Sequence, residues 1–194
     1  MTDAFDVDPA LAAAVLEIEA HVSTGGWDQP SRLYALVDTA RIVAEEPGVA
    51  AAMGLDAASA DGSLTPVEQD QLPSGREIEE VLASIGWPDD VAGCAAVVER
   101  LVLPPEADAL IPEDPEAASE FAATHPLRQE VRIVAGATRA GATYCALRMR
   151  AHDDDQSVVG GADLVPELLE LIRVTLQDDG QDDGHDDGQA EDDR

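Results

Sequence analysis

The sequence predicts an α+β fold: about four strands in one sheet, including a C-terminal hairpin, covered by helices mainly on one side. Three observations carry this. β-prone apolar runs alternate with helically spaced segments, in the order helix, strand, helices, strand, helix, strand, strand, helix. Residues 130–135 and 143–150 alternate apolar and polar side chains on either side of a turn-rich joint, the mark of a hairpin. A pattern also recurs sixty positions apart: Ile18-Glu19 leads to Gly26-Trp27, and Ile78-Glu79 leads to Gly86-Trp87. Each Gly-Trp precedes a β-prone run, and the chain's only two tryptophans occupy equivalent places. That reads as an internal helix–Gly-Trp–strand duplication.

Taken in order, Asp8-Pro9 supplies an N-cap and a first helical residue. Leu11, Val15, Ile18 and Val22 then form one apolar stripe, ended by Gly25-Gly26. Trp27 is expected to fold back over that stripe. Arg32 to Val37 reads as a strand, Asp38-Thr39 restarts a helix, and Pro47 breaks it. Ala57 to Pro73 shows no periodicity and reads as a loop. Arg76 to Ile85 is the second copy's helix, and Val91 to Leu103 is a strand apolar enough to be covered on both faces. Asp114-Pro115 caps a helix that runs to about Thr124, where Pro126 stops it. After the hairpin, Asp163 caps a last helix with Leu164, Leu168, Leu171, Ile172 and Leu176 on one side. The domain is therefore expected to span 1–177. The segment 178–194, with its Asp-Asp-Gly repeats, cannot bury a core and is expected to be a disordered acidic tail.

Composition narrows the function classes. The net charge is −30, from 41 acids and 11 bases, and every base is Arg. A polyanion of this kind repels nucleic acid and anionic membrane surfaces. No apolar run approaches the length of a membrane span. The acidic N-terminus lacks the basic start of a secretory signal, so a cytoplasmic location is expected. The two cysteines, Cys94 and Cys145, make no metal or redox spacing; they could pair only if their strands are neighbours.

Enzyme templates fail. Asp61-Gly62 with Glu68 fits three positions of a calcium loop, but Ala57 stands where a ligand is needed. The run His152-Asp153-Asp154-Asp155 lies on consecutive residues that point in alternating directions, whereas a metal needs ligands converging from spaced positions, so it reads as a solvated turn rather than a metal site. No phosphate loop, nucleophile elbow or Cys–His spacing is present. No catalytic residue, metal or cofactor is assigned.

The hairpin is the exception to the acidity. Alternation turns Val131, Ile133, Cys145, Leu147 and Met149 to one face and Arg132, Arg148 and Arg150 to the other. Three guanidinium groups on one sheet face can grip carboxylates or phosphates bidentately. The alternative is that neighbouring Asp and Glu side chains supply the counter-charge.

The runs Leu64-Thr-Pro-Val-Glu-Gln69, Trp87-Pro-Asp-Asp-Val-Ala-Gly-Cys94, Glu99-Arg-Leu-Val-Leu-Pro-Pro105, His125-Pro-Leu-Arg-Gln-Glu-Val131 and Ala142-Thr-Tyr-Cys-Ala-Leu147 together resemble an actinobacterial family of small cytosolic proteins without an assigned activity. The resemblance covers most of the chain before the tail and transfers no functional residue. The expected function is an acidic protein-interaction module, an adaptor or chaperone-like protein with a protein partner. The alternative is a small enzyme or anion-binding protein using Arg132, Arg148 and Arg150.

Overall fold

The computed structural model describes residues 7–72 and 75–177. The Asp8 carboxylate accepts hydrogen bonds from the amides of Ala10 and Leu11, and so starts α1 (Pro9–Ser23). Then come β1 (Arg32–Asp38), α2 (Thr39–Glu45), α3 (Pro47–Met53), the single turn α4 (Ala57–Ala60) and β2 (Leu64–Glu68). The second half holds α5 (Ile78–Leu82), β3 (Gly93–Val102), α6 (Pro115–Thr124), β4 (Gln129–Thr138), β5 (Thr143–Met149), β6 (Val159–Gly161) and α7 (Pro166–Thr175). The strands form one antiparallel sheet in the order β2-β1-β3-β4-β5-β6. The α+β class holds, with six strands rather than about four.

The two extra strands are the edges. β2 lies inside the segment expected to be a loop. Pro66 cannot donate to a ladder, yet it pairs opposite Leu36 with hydrogen bonds made at the flanking positions, so its nitrogen faces away from the sheet. β6 has three residues, two of them glycine, and is too short to leave a sequence pattern. A Cβ at Gly160 would lie 2.2 Å from the Tyr144 hydroxyl, so the ring covers the place of the missing side chain.

Helices cover both faces rather than mainly one. Side chains alternate across each strand, so β3 feeds two cores. Ala95 and Val97 join Leu11, Val15, Ile18 and Val22 beneath α1. Cys94, Ala96 and Val98 join Ile78, Leu82, Leu169 and Ile172 beneath α5 and α7. β3 is accordingly buried on both faces from Gly93 to Val98. Gly136, expected in the turn, sits within β4, where an added Cβ would meet Val15 Cγ2 at 2.9 Å. The absent side chain lets α1 settle onto the sheet.

The last helix begins at Pro166 with Val165 at its cap and no side-chain cap bond, so Asp163 is not its N-cap. The second Gly-Trp unit has a five-residue helix against fifteen in the first, and the two helices lie on opposite faces. Trp27 donates to Asp153, whereas Trp87 donates to Thr175. The duplication is not confirmed. The expected tail, 178–194, lies outside the described residues.

Candidate functional site

The structure gathers Arg132, Arg148 and Arg150 on the face that carries α1. Arg132 and Arg148 are direct cross-strand partners in the β4–β5 ladder. Two like charges so placed repel unless acids intervene, and acids do. Arg148 Nε and Nη2 fork onto Glu19 of α1 at 2.6 and 2.9 Å, and both side chains are 3% exposed. Asp155 and Asp153, from the turns after β5, complete the set at 2.8 and 3.4 Å. Hydrogen bonds to Glu19 raise the Arg148 pKa above the ordinary arginine value in spite of burial.

Arg132 is fully buried. Its Nε and Nη2 donate to Glu99 Oε1 at 3.2 and 2.8 Å, and Nη2 also donates to the Gly26 carbonyl. Its guanidinium carbon lies 4.5 Å from the centre of the Trp27 ring, a cation–π contact in a site shielded from water. Arg132 Nη1 has no hydrogen-bond partner among the described residues. Arg150 forks onto Asp28 with two 3.0 Å bonds and also meets Glu130. Asp28 adopts φ 63°, a conformation that Asp tolerates better than most side chains, and its amide donates to Glu99. Trp27 thus packs over arginines rather than over the apolar stripe of α1.

Of the acids that sequence reasoning did not place at this site, Glu19 is the most deeply buried. A signal was present: Glu19 lies four residues after Val15, within the apolar stripe of α1, and is 2% exposed. A buried carboxylate there requires a cation.

The other hairpin base, Arg139, acts as a clasp. It donates to the carbonyls of Trp87, Pro88 and Val91 and to that of Leu176 just past α7. Of the remaining candidates, Glu68 is engaged by Arg32 and by the Tyr34 hydroxyl. Asp154 accepts from the Ser157 hydroxyl and from the Gln156 amide, and these bonds, the Ser157 one foremost, hold its carboxyl below its ordinary pKa. Cys94 and Cys145 are both free, because β4 separates their strands. Burial pushes the Cys94 thiol up to about 11. Such a thiol is a poor nucleophile.

The opposite face differs. α5 has five residues and α7 ten, and together they leave part of the sheet uncovered. A groove of about 410 Å³ runs between them, floored by Val98 and Ile133, walled by Val165, Leu168 and Leu171, and rimmed by Glu79, Arg100 and Glu167. Arg100 is held by Glu79 at 2.7 Å and Glu77 at 3.7 Å. On the same strand face, two residues beyond Arg100, Val102 is 43% exposed. A second hollow of about 450 Å³ lies on the other flank of α5, beside Trp87 and Leu72. No sequence signal marks either hollow, because both arise from how little of the sheet the helices reach.

A family model described as PPA1309-like protein matches residues 11–177. The chain belongs to the PPA1309-like family. No curated protein and no solved structure matches it. Among the described residues, no helix is long and apolar enough to cross a membrane.

Proposed function

We propose that the protein is a cytosolic, actinobacterial protein-interaction module, an acidic adaptor or chaperone-like protein that binds through its α5/α7 face. The observation that carries this reading is the apolar groove over Val98 and Ile133, open on a face whose strand continues into exposed Val102. Apolar surface left uncovered in so charged a protein is the usual ground for a docking site. The arginine cluster supports the same choice by contrast, since Glu19, Glu99, Asp28 and Asp155 already engage its guanidinium groups.

Affinity capture from extracts of the native host tests the reading, with the full chain and its Leu168→Glu variant as baits. A protein recovered by the wild type and lost with Leu168→Glu, at unchanged melting temperature, supports it. Recovery that is indifferent to Leu168→Glu overturns it.

The anion-binding alternative rests on one observation, the Nη1 of Arg132, which has no hydrogen-bond partner among the described residues. Thermal shift with inorganic phosphate and with citrate decides it. A rise that vanishes in Arg150→Gln favours the alternative, and no rise removes it.

A further inference from the structure

We infer that the groove between α5 and α7 receives a basic amphipathic helix from another protein, a reading that rests on the interaction role proposed above. Charge selects the sign of the occupant. Glu79 and Glu167 rim the groove, and the one base there, Arg100, is already engaged by Glu77 and Glu79. Glu167 has no ion-pair partner among the described residues and is exposed. A second copy of the chain is itself a polyanion of net charge −30, the wrong sign for an acidic rim. The chain's own segment 178–194 carries nine acids and one Arg, again the wrong sign. Nucleic acid and anionic lipid fail for the same reason.

Backbone chemistry selects the conformation. The floor of the groove is the face of β3 and β4 at the Val98–Ile133 pair; β3 is paired with β1 up to Val97 and with β4 alone beyond it. The groove's longer wall is α7, whose backbone bonds internally from the Leu169 amide onward. A sheet's hydrogen bonds lie in its plane, so an extended peptide lying across this face would leave its own amides unpaired. A helix satisfies its own backbone and presents side chains at i, i+3, i+4 and i+7. The groove's volume accepts a few large aliphatic side chains, flanked by Arg or Lys at the acidic rim.

The test uses three synthetic peptides of roughly 15 residues, long enough to form a helix on binding. One is a Leu/Arg amphipathic sequence, one keeps its charge with every Leu changed to Ser, and one is the Leu/Glu counterpart. Each is titrated into the isotope-labelled full chain while amide shifts are followed by NMR. The inference predicts that the Leu/Arg peptide shifts residues of β3, β4 and α7 around Val98, Ile133 and Leu168. It also predicts binding about tenfold tighter than the Ser peptide, and none by the Leu/Glu peptide. Glu167→Arg, an exposed change that leaves the core intact, should weaken the Leu/Arg peptide about three- to tenfold. Equal binding of the Ser peptide, shifts spread evenly over the acidic surface, or indifference to Glu167→Arg overturns the inference. If the peptides fail while host capture still depends on Leu168, the interaction role stands and the basic-helix occupant is rejected.

Discussion

The two faces of the sheet use opposite means. On one face a fifteen-residue helix is drawn down onto Gly136, and the charged side chains beneath it are paired one by one. On the other face two shorter helices bury a comparable apolar cluster but leave a hollow on either flank of α5. Bases clustered on a strand pair look like a binding site in the sequence. Here most of their contacts run inward, so the cluster ties α1, β3 and the turns after β5 to the hairpin. The less conspicuous face is the one that leaves an open apolar groove. A cluster of like charges is therefore informative about binding only after its counter-charges have been sought elsewhere in the chain.

The contrast can be broken most sharply at Glu19 and Arg148. Removing either leaves the other charge buried, so Arg148→Ala or Glu19→Ala should destabilise the fold by about 3–5 kcal/mol in urea unfolding. Replacing both with Leu should cost much less than the two single losses together. If the single changes cost nothing measurable, the cluster is not structural.

Next in size is the pH dependence of Cys94 beneath α7. The folded state holds its proton up to about pH 11, while the free thiol titrates near 9.0. Between those values the unfolded state binds fewer protons, so stability falls as pH rises across that window. The whole difference is about 2–3 kcal/mol, and Cys94→Ala should flatten it. An unchanged slope in Cys94→Ala would place the titration elsewhere.

Two glycines compare tight packing with open space. Gly136→Ala should cost about 1–3 kcal/mol, because Val15 and Leu11 of α1 must give way. At Gly86 a Cβ would meet nothing within 4 Å, so Gly86→Ala should stay within about 0.5 kcal/mol of wild type. Thermal melts of the two variants side by side read the difference. The smallest stability effect belongs to the groove rim: Glu167→Arg should also remain within about 0.5 kcal/mol by the same melts.

Local signals in the sequence were sound where one residue determines them. The Asp-Pro pairs place the starts of α1 and α6, and alternation places β4, β5 and the common face of the three arginines. The edges were not legible: β2 carries a proline that only an edge strand tolerates, and β6 is mostly glycine. What covers a face is a non-local fact. Glu19 and Arg148 meet across 129 positions of sequence, which no periodicity links. The groove depends on the reach of α5 and the placement of α7, and leaves no mark at its own residues.

Site-directed photo-crosslinking tests the division between the faces most directly. A benzophenone amino acid is placed at Val102, on the groove face, or at Asp28, exposed beside the arginine cluster, and irradiated in extract of the native host. The account predicts that the partner is trapped from position 102 and not from position 28. Trapping from position 28 alone would contradict it and return the arginines to the role of binding site.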